Sequence, residues 1–221
     1  MMLSDADKSA LERKLTNGMM DEVTLLLFVS PSSSISRELV DFTKTIAAFS
    51  PKITVQIENV DSGQTQLMKD FRVDRAPTLV LVKGDFSRIR YYGTPSGHET
   101  PPITDAIAEL SRSSTPLSPK ARAIVQSIKR KANIKIFVLT TCSFCPIVAR
   151  HAYRAAIESS KVTAEIIDSQ IFQDLALRHS VMGVPKMVLN DNIDITGEVQ
   201  EMEFFQKLKD ADISLIDSMY G

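Results

Sequence analysis

The stretch Phe137-Val138-Leu139-Thr140-Thr141-Cys142-Ser143-Phe144-Cys145-Pro146 joins an apolar run to a segment of helical spacing, and it holds both cysteines of the chain. Ile134 to Leu139 predicts a buried strand, because a short continuous run of apolar and β-branched residues suits a position flanked on both sides. From Pro146 onward Val148, Ala152 and Ala156 recur on one helical face. The cysteines therefore stand where a strand gives way to a helix. Unpaired N–H groups and the positive dipole end of a helix favour a thiolate, which is the attacking species in disulfide exchange. Pro146 is tolerated there, since an N–H is not needed in the first helical turn. This placement predicts Cys142 as the exposed nucleophile and Cys145 as its resolving partner, alternating between a disulfide and two thiols. The competing reading is half of a zinc site. Zinc needs four ligands, and the chain offers no second CxxC and three histidines, His98, His151 and His179, so the metal would have to lie between two copies. No bound metal or other cofactor is expected beyond the disulfide itself.

Working outward from that stretch, the order of elements occurs twice. Ser4 to Leu15 reads as a helix, with Ser4 and Asp7 as capping residues and Gly18 past its end. Val23 to Val29 reads as a buried strand, and Ile35, Leu39, Phe42, Ile46 and Phe49 mark an amphipathic helix. A strand at Ile53 to Ile57, a short helix at Thr65 to Phe71, strands at Leu79 to Val82 and Ile89 to Tyr92, and a helix at Pro102 to Leu110 complete the first copy. The second runs from a helix at Ala121 to Lys131 through Val162 to Ile167, Phe172 to His179 and Met187 to Leu189 to a helix at Met202 to Leu208. Phe28-Val29 aligns with Phe137-Val138 at an offset of 109, and Val73–Pro77 with Val181–Pro185 at 108. Ser111 to Pro119 reads as the linker. The expectation is α/β: two tandem domains, 1–114 and 115–221, each a small mixed sheet with helices on both faces and a core of its own.

Composition narrows the function. An apolar fraction of 43% and a charged fraction of 24% are ordinary for a globular chain, and a net charge of −1 gives no electrostatic case for nucleic acid or a membrane surface. The start lacks a basic segment followed by an apolar run, and no window approaches the roughly 20 apolar residues of a bilayer span. A cytoplasmic protein is expected. A lone CxxC in such a chain points to redox chemistry, whereas a secreted scaffold would spread its cysteines.

Three further features bear on a site. Pro185, after Val184, opens a strand, where proline removes a ladder donor. A cis peptide would explain it and would leave the preceding backbone free to pair with a substrate peptide; an edge-strand or turn proline is the alternative, made less attractive by the same pattern at Pro77. Ser33 and Ser36 fall where the second copy has Cys142 and Cys145, so the first half has no redox pair, and Ser33 reads as a helix N-cap. Gly93-Thr94-Pro95-Ser96-Gly97-His98-Glu99 reads locally as a solvated loop.

The segments Tyr92–Glu99, Thr141–Val148 and Phe172 through Pro185 together resemble two related groups. One is the tandem thioredoxin-fold N-terminal domain of the flavoprotein component of alkyl hydroperoxide reductase. The other is the free-standing protein disulfide oxidoreductases, also called glutaredoxin-like proteins. The resemblance implies thioredoxin-like halves and a thiol–disulfide oxidoreductase fed by a flavin-dependent reductase that uses NAD(P)H, with disulfide proteins or a peroxiredoxin as acceptors. No G-x-G-x-x-G segment is present, so the donor is expected to be a separate thioredoxin-reductase-like flavoprotein. The resemblance also gives Glu99 an acid/base role at the disulfide of the other half. Ser143-Phe144 departs from the common intervening pairs, which leaves the direction of electron flow open: reductase, or oxidant and isomerase. A non-catalytic thioredoxin-fold binding module is the remaining alternative.

Overall fold

The run Val23-Thr-Leu-Leu-Leu-Phe-Val29 forms a central strand buried along nearly its whole length, because Val23, Leu25, Leu27 and Val29 enter one apolar cluster and Leu26 and Phe28 another on the opposite face. The computed structural model describes residues 5–220 apart from Ser62, with side chains described from 9 to 211. The first half runs α1 (Asp5–Gly18), β1 (Val23–Val29), α2 (Ser34–Ala47), β2 (Ile53–Asn59), α3 (Gln66–Asp70), β3 (Thr78–Lys83), β4 (Phe86–Tyr92), a 3₁₀ turn (Gly97–Glu99) and α4 (Thr100–Arg112). The second runs α5 (Pro119–Gln126), β5 (Ala132–Val138), α6 (Cys145–Glu158), β6 (Val162–Asp168), α7 (Gln173–Arg178), β7 (Lys186–Leu189), β8 (Ile193–Thr196) and α8 (Glu201–Tyr220). Ser4, read as a cap, lies outside the described residues, as does the side chain of Asp7. Gly18 is the last residue of α1 and not the residue beyond it.

The strands form one eight-stranded sheet in the order β2-β1-β3-β4-β6-β5-β7-β8. β1 is parallel to β2 and antiparallel to β3, β5 is parallel to β6 and antiparallel to β7, and each half ends in an antiparallel hairpin. The fold is thus mixed α/β and thioredoxin-like, as expected, but the two small sheets of the sequence reading are joined. β4 pairs with β6 in parallel over Ile89–Tyr92 and Ala164–Ile167. Two strands that would otherwise be open edges, each a row of unpaired N–H and C=O groups, satisfy each other.

The apolar interior is joined as well. One cluster runs from Leu11, Leu25 and Leu39 in the first half to Val148, Ala152 and Phe204 in the second, on the face covered by the longer helices. Smaller clusters lie on the other face, around Met68 with Phe28 and around Phe172 with Phe137. The expectation of a separate core in each half therefore gives way to a shared one. Across the junction of α4 and α6, Arg154 donates to both carboxylate oxygens of Glu109 at 2.9–3.2 Å, and Arg150 donates to Asp105 at 2.8 Å.

The expected linker is anchored. Ser111 Oγ is buried and accepts from the N–H groups of Met20 and Asp21, each at 2.9 Å. Leu117 is buried, Arg122 donates to Thr115 O at 2.8 Å, and Ser118 caps α5 by accepting from Ala121 N–H at 3.2 Å. Among the described residues no helix is long and apolar enough to cross a membrane.

Candidate functional site

β5 delivers the chain from the buried sheet to the cysteines. Its end turns through a hydrogen bond from Cys142 N–H to Leu139 O at 2.9 Å, and α6 starts at Cys145 with proline in its first turn. Cys142 and Cys145 form a disulfide with their Cα atoms 5.6 Å apart. The two sulfurs stand in different surroundings. Cys142 is half-buried, whereas Cys145 is 0% exposed and belongs to the shared apolar cluster. The N–H of Cys145, an otherwise unpaired amide of the helix start, donates to Cys142 Sγ at 3.1 Å. Ser33 caps α2 by the same geometry, accepting from Ser36 N–H at 3.4 Å.

Val184 and Pro185 come to the disulfide from the loop before β7. Their peptide bond is cis, as is that of Ala76–Pro77. The carbonyl oxygen of Val184 lies 4.0 Å from Cys142 Sγ. Beside them Met182 is 96% exposed and Phe144 56% exposed, so the half-buried sulfur sits among apolar groups open to solvent.

The Gly93–Glu99 segment is not the solvated loop that local sequence suggests. Gly97 adopts φ +56 and lies so near the strand-to-helix turn that a Cβ there would come within 2.5 Å of Thr140 O. His98 N–H donates to the same oxygen at 2.9 Å. This docking divides the His-Glu pair: His98 is exposed and Glu99 is 0% exposed. Burial pushes the Glu99 carboxyl up to about 8; Arg150 on α6 partly offsets this and Asp168 at the end of β6 adds to it. The polar alternation of the loop hid this, since burial arises from contact with a segment about 40 residues away. Tyr91 of β4 and Tyr153 of α6, also fully buried, are polar contributors that the sequence does not single out.

The arrangement can open and close a disulfide with one accessible and one protected sulfur, and the turn that docks on Thr140, two residues before Cys142, carries a buried carboxyl pushed up to about 8. Among the described residues no group of three His, Cys, Asp or Glu side chains is placed to hold a metal ion. A groove of about 640 Å³, lined by Arg88, Arg130, Lys161 and Glu165 among others, opens at the ends of β5 and β6 opposite the disulfide.

Fold and site together define a thioredoxin-fold thiol–disulfide oxidoreductase. Residues 132–210 match the thioredoxin domain family, and the cysteines, β5 through β8 and the start of α8 lie within that match. The F subunit of alkyl hydroperoxide reductase of Pseudomonas putida is 25% identical over 174 residues, which is 78% of this chain and 31% of that protein. A protein named NADH dehydrogenase from Ferdinandcohnia aciditolerans is 22% identical over 208 residues, 94% of this chain and 37% of that protein. The chain thus spans about a third of the length of these curated relatives. Among solved structures, the F subunit of the Enterococcus faecalis alkyl hydroperoxide reductase superposes with a TM-score of 0.87 at 28% identity, covering 94% of this chain and 100% of that one. A protein disulfide oxidoreductase from Aeropyrum pernix superposes with a TM-score of 0.86 at 22% identity, over 97% of this chain and 95% of that one. The resemblance read from the sequence is therefore to these proteins.

Proposed function

We propose that this protein is a dithiol shuttle that carries two electrons from a flavin-dependent reductase to disulfide acceptors, with Cys142 attacking and Cys145 resolving. The observation that carries the reading is the unequal pair: a half-exposed sulfur that accepts a helix N-terminal amide, bonded to a fully buried one. In the reduced protein the Cys142 thiolate attacks one sulfur of the acceptor. The acceptor S–S bond breaks, a mixed disulfide forms, and the departing thiolate takes a proton. Cys145 then gives its proton to the Glu99 carboxylate and attacks Cys142 Sγ. The mixed bond breaks, the second acceptor thiolate leaves, and the Cys142–Cys145 disulfide is restored. When a donor dithiol reduces that disulfide through Cys142, Cys145 departs as a buried thiolate. The Glu99 carboxyl returns the proton, which removes the cost of an unpaired charge in an apolar site. Val184 and Pro185 orient the incoming chain, a role supported by the 4.0 Å contact of Val184 O with Cys142 Sγ.

The two halves, 1–114 and 115–221, act as tandem thioredoxin-like domains, the first without a redox pair and serving as scaffold and donor of Glu99. Matching strand orders and the Ser33–Ser36 cap at the cysteine-equivalent place support this division. The similarity to the F subunits of alkyl hydroperoxide reductases supports a flavoprotein donor and a peroxiredoxin or other disulfide protein as acceptor, in the cytoplasm. The test is reduction of a model protein disulfide with dithiothreitol as donor. Cys142→Ser is expected to abolish activity and Cys145→Ser to accumulate the mixed disulfide; activity that survives Cys142→Ser ends the reading. A reduction potential near about −270 mV supports a reductant, and one between about −120 and −180 mV points to an oxidant or isomerase.

A further inference from the structure

Where β4, the Gly97–Glu99 turn and α6 meet, buried polar atoms gather that no described residue satisfies. Tyr91 Oη, Tyr153 Oη, both carboxyl oxygens of Glu99 and Thr94 Oγ1 are buried and have no hydrogen-bond partner among the described residues. A buried hydroxyl or carboxyl left so in a dry interior costs about 1–3 kcal/mol each. Five such atoms in one region do not belong to an apolar core. The turn that carries Glu99 and the strand that carries Tyr91 both pack against α6, which carries Tyr153; the charge of Glu99 acts on both phenols, and that of Asp168 on Tyr91 and on Glu99. A Cβ placed on Gly93 would lie 3.0 Å from Asp168 Cβ and 3.7 Å from Tyr91 Cε1, which ties the end of β6 to the same spot.

The supports of this cluster are rigid. Tyr91 lies in β4 opposite Ile166 of β6, and Tyr153 is 1% exposed on α6. Each phenol brings its hydroxyl from a different half. The charged groups that act on Glu99 are Arg150, which is already engaged by Asp105, and Asp168, which accepts from Gln170 N–H at 2.9 Å. Neither hydrogen-bonds to a carboxyl oxygen of Glu99. The phenols keep their protons, because burial first and neighbouring carboxylates second drive their ionisation far above the ordinary value of about 10. They are therefore donors at every pH at which the protein works.

We propose that Tyr91 and Tyr153 are positioning residues for Glu99, their hydroxyls donating to its carboxylate across a buried water. The proposal rests on the acid/base reading of Glu99 and adds what makes that group usable. A carboxylate that receives two fixed donors is held in one orientation, and its ionised form is favoured over burial in an apolar wall. A mere core-filling role would make each ring replaceable by phenylalanine without effect on Glu99.

The experiment follows the Glu99 carboxyl band by infrared difference spectroscopy in the full-length protein, assigned by its loss in Glu99→Gln. Tyr91→Phe and Tyr153→Phe are each expected to raise the midpoint of that titration by about half to one pH unit, as removal of a donor to the anion requires. The inflection in the pH profile of disulfide reduction should move with it. Global replacement of tyrosine by 3-fluorotyrosine, which keeps the ring and strengthens the donor, is expected to lower the midpoint and does not depend on either variant folding. A midpoint unmoved by both substitutions, or unmoved by fluorination, overturns the proposal. If instead Glu99→Gln leaves the rate profile unchanged, the acid/base reading fails, while the infrared midpoint still decides the part played by the tyrosines.

Discussion

The backbone N–H of Cys145 donates to Cys142 Sγ at 3.1 Å, so the buried member of the pair supplies the amide that steadies the accessible sulfur. Exposure then separates the two thiols once the disulfide is reduced. Cys142 remains half-buried at the surface, and Cys145 is 0% exposed within the apolar cluster. Iodoacetamide should modify Cys142 and leave Cys145 unmodified until the protein unfolds, because the reagent needs an accessible thiolate. Peptide mass mapping after a short exposure checks this. Equal labelling of both cysteines in folded protein would contradict the assignment of attacking and resolving roles.

Glu99 makes a second, independent prediction about stability. Its carboxyl has a folded-state pKa near 8, against 4.5 as the ordinary value. Folding therefore favours the protonated form. The stability it contributes is full below pH 4.5 and is lost as pH rises through 8. Integrated over that interval the loss is on the order of 3–5 kcal/mol, at 1.36 kcal/mol per pKa unit. Glu99→Gln, neutral at all pH, should remove most of this slope and leave the variant more stable than the parent at pH 9. Urea unfolding at pH 6, 7.5 and 9 reads it, and parallel curves for the two proteins would refute it.

What the sequence shows of this molecule follows from local chemistry. The apolar runs at Val23–Val29 and around Phe137 read as central strands because apolar clusters cover the sheet there on both faces, which leaves little room for polar alternation. The cysteines read as standing at a helix start because a strand pattern stops where a helical one begins. The joined sheet does not read, since the pairing of β4 with β6 is made between backbones, and a backbone edge has no residue signature. The resemblance points to Glu99, but its burial is illegible from local sequence for a related reason. Its burial depends on Gly97 fitting against Thr140 from the other half, and a Gly/Pro-rich stretch with a His-Glu pair looks solvated when read alone. The Ser111–Pro119 segment has linker composition, yet Ser111 and Leu117 are buried, because a polar hydroxyl can fasten two turns of backbone as well as face water.

His151 introduces an acid sensitivity. Its ring is buried on α6 against Phe204 and Phe205 of α8, with centroids 5.6 and 6.0 Å away. Burial above all, with smaller contributions from Arg154 and Arg150 on the same helix, outweighs the opposing pull of the Val199 backbone and lowers its pKa from 6.5 to about 4. The neutral ring is thus the form that folding favours. Its contribution is present above pH 6.5 and is lost as pH falls towards 4, by about 2–3 kcal/mol. His151→Phe, which keeps an aromatic ring in the same apolar contact, should flatten the decline in thermal midpoint between pH 7 and pH 4.5. A decline as steep as that of the parent would place the acid-labile group elsewhere.

The junction of the halves has its own test in Arg154. Its fork reaches both oxygens of Glu109, whose side chain is 7% exposed and whose carboxyl is already pushed upward by burial. Removing the guanidinium alone leaves that carboxyl buried without its partner, so Arg154→Leu should cost about 3–5 kcal/mol. Arg154→Leu with Glu109→Leu should recover much of the loss, since two apolar side chains can fill the same space. Denaturant midpoints of the single and double variants decide it. If the double variant is no better than the single, the pair does not act as a unit.

Gly97 links the junction to the chemistry. Its φ of +56 belongs to the left-handed region, and a Cβ there would stand 2.5 Å from Thr140 O, a backbone atom two residues before Cys142. That oxygen also accepts from His98 N–H at 2.9 Å, so it cannot move away without giving up this bond. Gly97→Ala must therefore lift the Gly97–Glu99 turn from the strand-to-helix turn. The cost combines an unfavourable backbone conformation with a lost contact, about 2–3 kcal/mol. The consequence for activity is more specific than the loss of stability. With the turn displaced, Glu99 meets solvent, and the upward push on its carboxyl relaxes towards the ordinary value. The pH profile of disulfide reduction should lose its inflection near 8 in Gly97→Ala well below the temperature at which the variant unfolds. A variant of reduced stability that keeps the parent inflection would show that the turn holds the halves together without governing the proton at the disulfide.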